Sequence, residues 1–181
     1  MQLWMIRHAL PVRVEGVAGA ADPGLAPEGH DQARRLAAWL QGGPIEAVWS
    51  SPLRRACETA APIAAAVGVD VVIDDDLAEW DRDADSYIPL EELKAEGDPR
   101  YQELVDGRWA GEDEGAAFAV VCHGGVINVY LAHVLGLAQS MFFHPGYTSV
   151  SRVHAARSGA RGIASINEMG HLHRTAPDRS A

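Results

Sequence analysis

Apolar runs that stop at polar turns alternate along this chain with stretches whose apolar residues recur every three or four positions. Leu3-Trp4-Met5-Ile6 reads as a short buried strand that ends at Arg7-His8. A loop rich in Gly, Ala and Pro follows from Pro11 to Ala26. Pro27 then suits a first helical position and Glu28 the positive end of a helix dipole. Ala33, Leu36, Ala37 and Leu40 repeat at helical spacing until Gly42-Gly43. Ala47 to Trp49 make a second strand, and Ser51 as N-cap with Pro52 in the first turn predicts a helix to about Val67, closed by Gly68. Val69 to Ile73, β-branched apart from Asp70, predicts a third strand.

From Leu77 to Gly115 the chain is polar, charged and rich in Trp and Tyr. This stretch reads as an excursion over a site, with short helices at Leu90 to Ala95 and Pro99 to Val105. Phe118 to Cys122 is a fourth strand, His123-Gly124-Gly125 a turn, and Val126 to Leu135 a helix ended by Gly136, with Val126, Val129, Tyr130 and His133 on one face. Ser149 to His154 and Gly162 to Ile166 read as edge strands, and Leu172 onward as a tail. Strands alternating with helices predict a three-layer α/β/α sandwich with a mostly parallel central sheet, formed by a single domain over residues 1–181. In such a sheet the carboxyl ends of the strands border one crevice. His8, the turn after Trp49 and His123 are therefore expected at one pocket.

Composition changes this picture little. A chain of 181 residues with 48% hydrophobic and 22% charged content is ordinary for one soluble domain. No apolar run approaches the roughly 18 residues of a membrane span, and the N-terminus has neither the basic start nor the cleavage site of a signal peptide. The expectation is a cytoplasmic protein with no membrane partner. Cys57 and Cys122 are too few for a disulfide framework and are expected as reduced thiols. The net charge of -10 argues against nucleic acid as a partner, yet leaves room for a local cationic pocket that takes a small-molecule phosphate ester.

Hydrolysis of a phosphate ester needs positive charge around the phosphoryl oxygens, a nucleophile in line and an acid for the leaving oxygen. Arg7 and Arg55 offer bidentate forks, and His123 opens a helix whose N–H groups favour an anion. His8 as a neutral imidazole can attack to give a phosphohistidine. No cofactor motif and no metal-ligand spacing is present in this reading.

Five segments carry a family resemblance: Met5-Ile6-Arg7-His8, Gly29-His30-Asp31-Gln32-Ala33, Ser50-Ser51-Pro52-Leu53-Arg54-Arg55-Ala56-Cys57-Glu58-Thr59-Ala60, Leu77-Ala78-Glu79 and Cys122-His123-Gly124-Gly125. In this order the chain resembles the histidine phosphatase superfamily, which also contains the cofactor-dependent phosphoglycerate mutases. The resemblance implies that His8 is the phosphorylated nucleophile, that Arg7, Arg55 and His123 hold the phosphoryl group, and that Glu79 is the proton donor. It implies a phosphomonoester hydrolase acting on a small phosphorylated metabolite through a phosphohistidine. Phosphoglycerate-mutase-like transfer and a catalytically degenerate phosphate-binding domain are the alternatives.

From the residues alone, Asp74, Asp75, Asp76, Asp81, Asp83 and Asp85 surround Glu79, and each is a rival acid. Arg54 reads as a solvated charge, and Trp80, Tyr87, Tyr101 and Trp109 as candidates for an aromatic lid. Asn167 and His171 resemble the family's closing segment and read as structural. Ala9, Leu10, Pro11 and Val14 stand where many members carry a polar phosphate contact, and Ala26 where a Thr is usual. The link from Trp109 to Phe118 is short where relatives carry a long amphipathic helix. Either that helix is lost or residues are absent from the chain. Its loss would bare one sheet face, which a homodimer partner could cover.

Overall fold

The computed structural model describes residues 1–79, 82–87, 117–156 and 159–172. The expected helices at Leu90 to Ala95 and Pro99 to Val105, the link after Trp109 and the tail beyond Leu172 lie outside the described residues, as do Trp80, Asp81, Tyr101 and Trp109.

The elements follow one another as β1 (Gln2–Arg7), α1 (Pro27–Leu40), β2 (Ala47–Ser50), α2 (Arg54–Val67), β3 (Val71–Ile73), β4 (Ala117–Cys122), α3 (Gly124–Leu135), β5 (Val150–Ala155) and β6 (Arg161–Glu168). They build one six-stranded sheet in the order β3-β2-β4-β1-β5-β6. β2 pairs in parallel with β3 and with β4, and β4 with β1. β5 runs antiparallel to β1, and β6 antiparallel to β5. The parallel expectation holds for the first four strands. β5, expected at an edge, lies inside, with β6 beyond it.

Alternation along β1 sorts the core into two layers. Trp4 and Ile6 join Val48, Ala119 and Val121 beneath α1 and α2, whose Leu36, Leu40, Ala60 and Ile63 are buried there. Met5 faces the other way, with Cys122 and Val153, beneath Ile127 and Leu131 of α3. This is the three-layer sandwich. No helix among the described residues is long and apolar enough to cross a membrane.

Helix α1 begins at Pro27, as its sequence predicts, with Ala26 at the cap position. Helix α2 begins three residues after Ser51, with Leu53 as a cap whose side chain makes no capping hydrogen bond. The Ser51 hydroxyl does accept the Leu53 N–H, at 3.2 Å, but its other contact is the ring of His123. Helix α3 buries Gly124, Ile127, Asn128, Leu131 and Ala132, while Val126 and Tyr130 of the face read from the sequence pack partly buried against the same core and His133 is exposed. The helix is apolar nearly all round, so periodicity gives little sign of which side turns inward.

Candidate functional site

Strand register assembles the site. Arg7 lies opposite Cys122 on β4, and Ser50 opposite Val121. The ladder continues one step past the strand ends: the His8 N–H donates to the Cys122 carbonyl at 2.9 Å, and the Ser51 N–H to the Val121 carbonyl at 3.0 Å. His8, Ser51 and His123 therefore stand together just beyond the carboxyl edge of the parallel strands. All three are buried, as are Arg7 and Arg55. The rings of His8 and His123 are 5.0 Å apart between centroids.

His8 Nδ1 lies 2.8 Å from the carbonyl oxygen of its neighbour Ala9. A carbonyl only accepts, so Nδ1 carries the hydrogen and Nε2 the lone pair. Burial above all, then the nearby His123, Arg55 and Arg7, hold the His8 pKa well below its ordinary 6.5, against a smaller opposing pull from the Ala9 carbonyl. Burial, then Arg55 and Arg7, do the same to His123. Both rings are neutral at neutral pH, the state a nitrogen nucleophile requires. The Ala9 N–H is in turn fixed by Thr59 Oγ1 at 2.9 Å, while that hydroxyl donates to the Arg55 carbonyl at 2.7 Å. One threonine thus ties the residue after His8 to the first turn of α2.

Each arginine rests on a tyrosine. Arg7 Cζ lies 4.0 Å from the centroid of the Tyr147 ring, and Arg55 Cζ 4.4 Å from that of Tyr87. Such stacking fixes the plane of each guanidinium. Tyr87 reaches Arg55 because Val14 and Tyr87 exchange backbone hydrogen bonds of 3.1 and 2.8 Å, pinning the segment 82–87 to the loop after β1. Arg7 also donates from Nη1 to the Pro145 carbonyl at 2.7 Å.

The loop that carries Pro145 and Tyr147 is held from behind. Asn167 Oδ1 accepts the Gly146 N–H at 2.8 Å, and His171 Nε2 lies 2.9 Å from Thr148 Oγ1. Thr148 is buried with φ at 57°, a strained setting for a β-branched residue, and donates its N–H to the Arg7 carbonyl at 3.1 Å. Asn167 and His171, expected as structural, support the cradle of Arg7.

Glu79 follows a single-turn helix at Asp75–Leu77. A Cβ built on Gly125 would meet Glu79 Oε1 at 2.5 Å, so the carboxylate sits against the first turn of α3, beside the position of His123. Burial, and then the charge of Glu79, raise the pKa of the buried Cys122 thiol at the end of β4. Among the rival acids, Asp74 accepts the Asp76 N–H and so caps that helix, while Asp75, Asp76, Asp83 and Asp85 are exposed. Arg54 is exposed and ion-paired with Glu58 at 2.6 Å. Tyr147, Thr59 and the contact of Ser51 with His123 were not found by sequence reasoning. Thr59 and Ser51 lie in a motif segment, whereas Tyr147 stands in a loop with no periodic signal.

The family model of the histidine phosphatase superfamily (branch 1) matches residues 3–115 and 98–168. A bifunctional protein of Mycobacterium tuberculosis is 31% identical over 200 residues, covering 94% of this chain and 55% of that protein. The chain thus spans about half the length of the curated relatives it matches at this level. Phosphoserine phosphatase 1 of Hydrogenobacter thermophilus is 34% identical over 95 residues, 51% of this chain and 45% of that one. Among solved structures, a mutant phosphoserine phosphatase of Entamoeba histolytica in complex with phosphoserine superposes with a TM-score of 0.72 at 22% identity, covering 95% of this chain and 99% of that chain. A mycobacterial glucosyl-3-phosphoglycerate phosphatase gives 0.70 at 22% identity, covering 93% and 99%. These structural likenesses establish the fold.

Proposed function

This chain belongs to the histidine phosphatase superfamily, and from that premise we propose that it hydrolyses small phosphomonoesters through a phosphohistidine formed on His8. The observation that carries the reading is the Nδ1 contact of His8 with the Ala9 carbonyl, which leaves the lone pair on Nε2 of a ring that has His123, Arg55 and Arg7 close by. Nε2 attacks phosphorus, the bond from phosphorus to the ester oxygen breaks, and Glu79 gives its proton to the departing alkoxide. Water then attacks the phosphohistidine and passes a proton to the Glu79 carboxylate. Inorganic phosphate leaves, and Nε2 regains its lone pair. Arg7, Arg55 and His123 supply the hydrogen bonds to the three equatorial oxygens throughout.

Phosphoserine and glucosyl-3-phosphoglycerate are the first substrates to test, because proteins similar to this chain are named for them. The experiment is hydrolysis of p-nitrophenyl phosphate with and without EDTA, together with trapping of labelled phosphate on the protein under alkaline quench. Turnover insensitive to EDTA, and both turnover and label lost in His8→Ala, are the expected results. Activity that survives His8→Ala would overturn the reading. Interconversion of phosphoglycerates faster than their hydrolysis would replace it with mutase-like transfer.

A further inference from the structure

His123 has two ring nitrogens, and the environment of Ser51 distinguishes them. Ser51 Oγ lies 2.9 Å from His123 Nε2 and accepts the Leu53 N–H at 3.2 Å. A hydroxyl owns one proton and two lone pairs. One lone pair takes the Leu53 N–H, and among the described residues the acceptor within reach of the Ser51 proton is His123 Nε2. That hydrogen bond occupies the Nε2 lone pair and puts the hydrogen of the neutral ring on Nδ1. His123 Nδ1 is buried, with no hydrogen-bond partner among the described residues. A buried donor is seldom left unsatisfied unless water or a ligand completes it.

The opposite tautomer fails on both counts. It would leave the Ser51 proton without an acceptor and turn a bare Nδ1 lone pair towards phosphoryl oxygens, which carry only lone pairs themselves. We propose that Ser51 is a positioning residue that holds His123 as the Nδ1–H tautomer, so that Nδ1 donates a hydrogen bond to a phosphoryl oxygen. The inference deepens the phosphatase reading and rests on it for the nature of the ligand. It adds a division of labour between the two histidines: Nδ1 of each carries the hydrogen, but on His8 that hydrogen is held by Ala9, whereas on His123 it is offered to the ligand.

The test reads protons rather than turnover. Nitrogen-resolved NMR of the full chain labelled at histidine, at neutral pH and without phosphate, is expected to show His123 with a protonated Nδ1 and a lone-pair Nε2. Inorganic phosphate should then shift the Nδ1 proton. Ser51→Ala is expected to move His123 towards the Nε2–H form and to weaken phosphate binding about tenfold or more, the loss of one hydrogen bond to a charged group. Ser51→Thr, which keeps the hydroxyl, should restore both. A wild-type His123 protonated on Nε2, or a tautomer unmoved by Ser51→Ala, overturns the proposal, and the wild-type spectrum decides even where the variant fails to fold. Phosphohistidine formation with the wrong tautomer would sink this inference alone. The predicted tautomer in a protein that never labels His8 would leave it standing and sink the phosphatase reading.

Discussion

Two neutral histidines packed among two arginines dictate how stability follows pH. The folded-state pKa values of His8 and His123 lie well below 6.5, so below that pH the unfolded chain takes up protons that the folded chain refuses. Stability is therefore expected to fall as pH drops through 6.5, by up to about 1.4 kcal/mol per pH unit for each ring, until the folded-state pKa values are reached. Urea unfolding between neutral and mildly acidic pH measures this. His8→Gln should lower the slope by one proton, and an unchanged slope would count against a neutral His8. Thr59→Val keeps the shape but strips the buried Ala9 N–H of its acceptor. It should cost about 1–3 kcal/mol in a denaturation curve, and turnover should drop because Ala9 also orients His8. At this scale the sequence was legible where chemistry is contiguous. Arg7-His8 and His123-Gly124-Gly125 announce themselves, whereas Ser51, Thr59 and Tyr147 act through contacts that only the fold creates.

Helix α3 shows what an element adds to its residues. Its first turn offers Gly125 where any side chain would strike the Glu79 carboxylate. Gly125→Ala is expected to leave stability level or slightly raised, since alanine favours helix by up to about 1 kcal/mol over glycine. Its activity on alkyl phosphates should nevertheless fall by about tenfold or more. Activity on p-nitrophenyl phosphate should fall much less, because that leaving group departs without a proton. Equal losses on both esters would remove Glu79 from the role of proton donor. Element boundaries were readable where punctuation is unambiguous, as at Pro27 for α1. They shifted where one residue serves two purposes, as Ser51 does between the start of α2 and the ring of His123. β3 is shorter than its β-branched run because its pairing with β2 runs only from Val71 to Ile73.

Over the whole molecule, both cores lean on the same strands. Trp4 and Ile6 feed one layer and Met5 the other, so neither layer can open without baring the back of its neighbour. We expect one cooperative unit: unfolding followed by tryptophan fluorescence and by far-UV circular dichroism should coincide. Inorganic phosphate at a hundred times its dissociation constant should add about 2.7 kcal/mol. Separate transitions by the two probes would divide the chain into more than one unit. The sandwich was legible from alternation, but the strand order was not. Met5 pairs with Val120 on one side and Ser151 on the other, partners brought together from distant parts of the chain by packing rather than by any local signal. That remote pairing also sets a clock. A slip of one residue between β1 and β4 would turn every side chain of the strand to the opposite face and part His8 from His123, while the helices could still form. Recovery of turnover during refolding should then lag behind recovery of helical signal, and the interval would time the moment at which the strands find their final alignment.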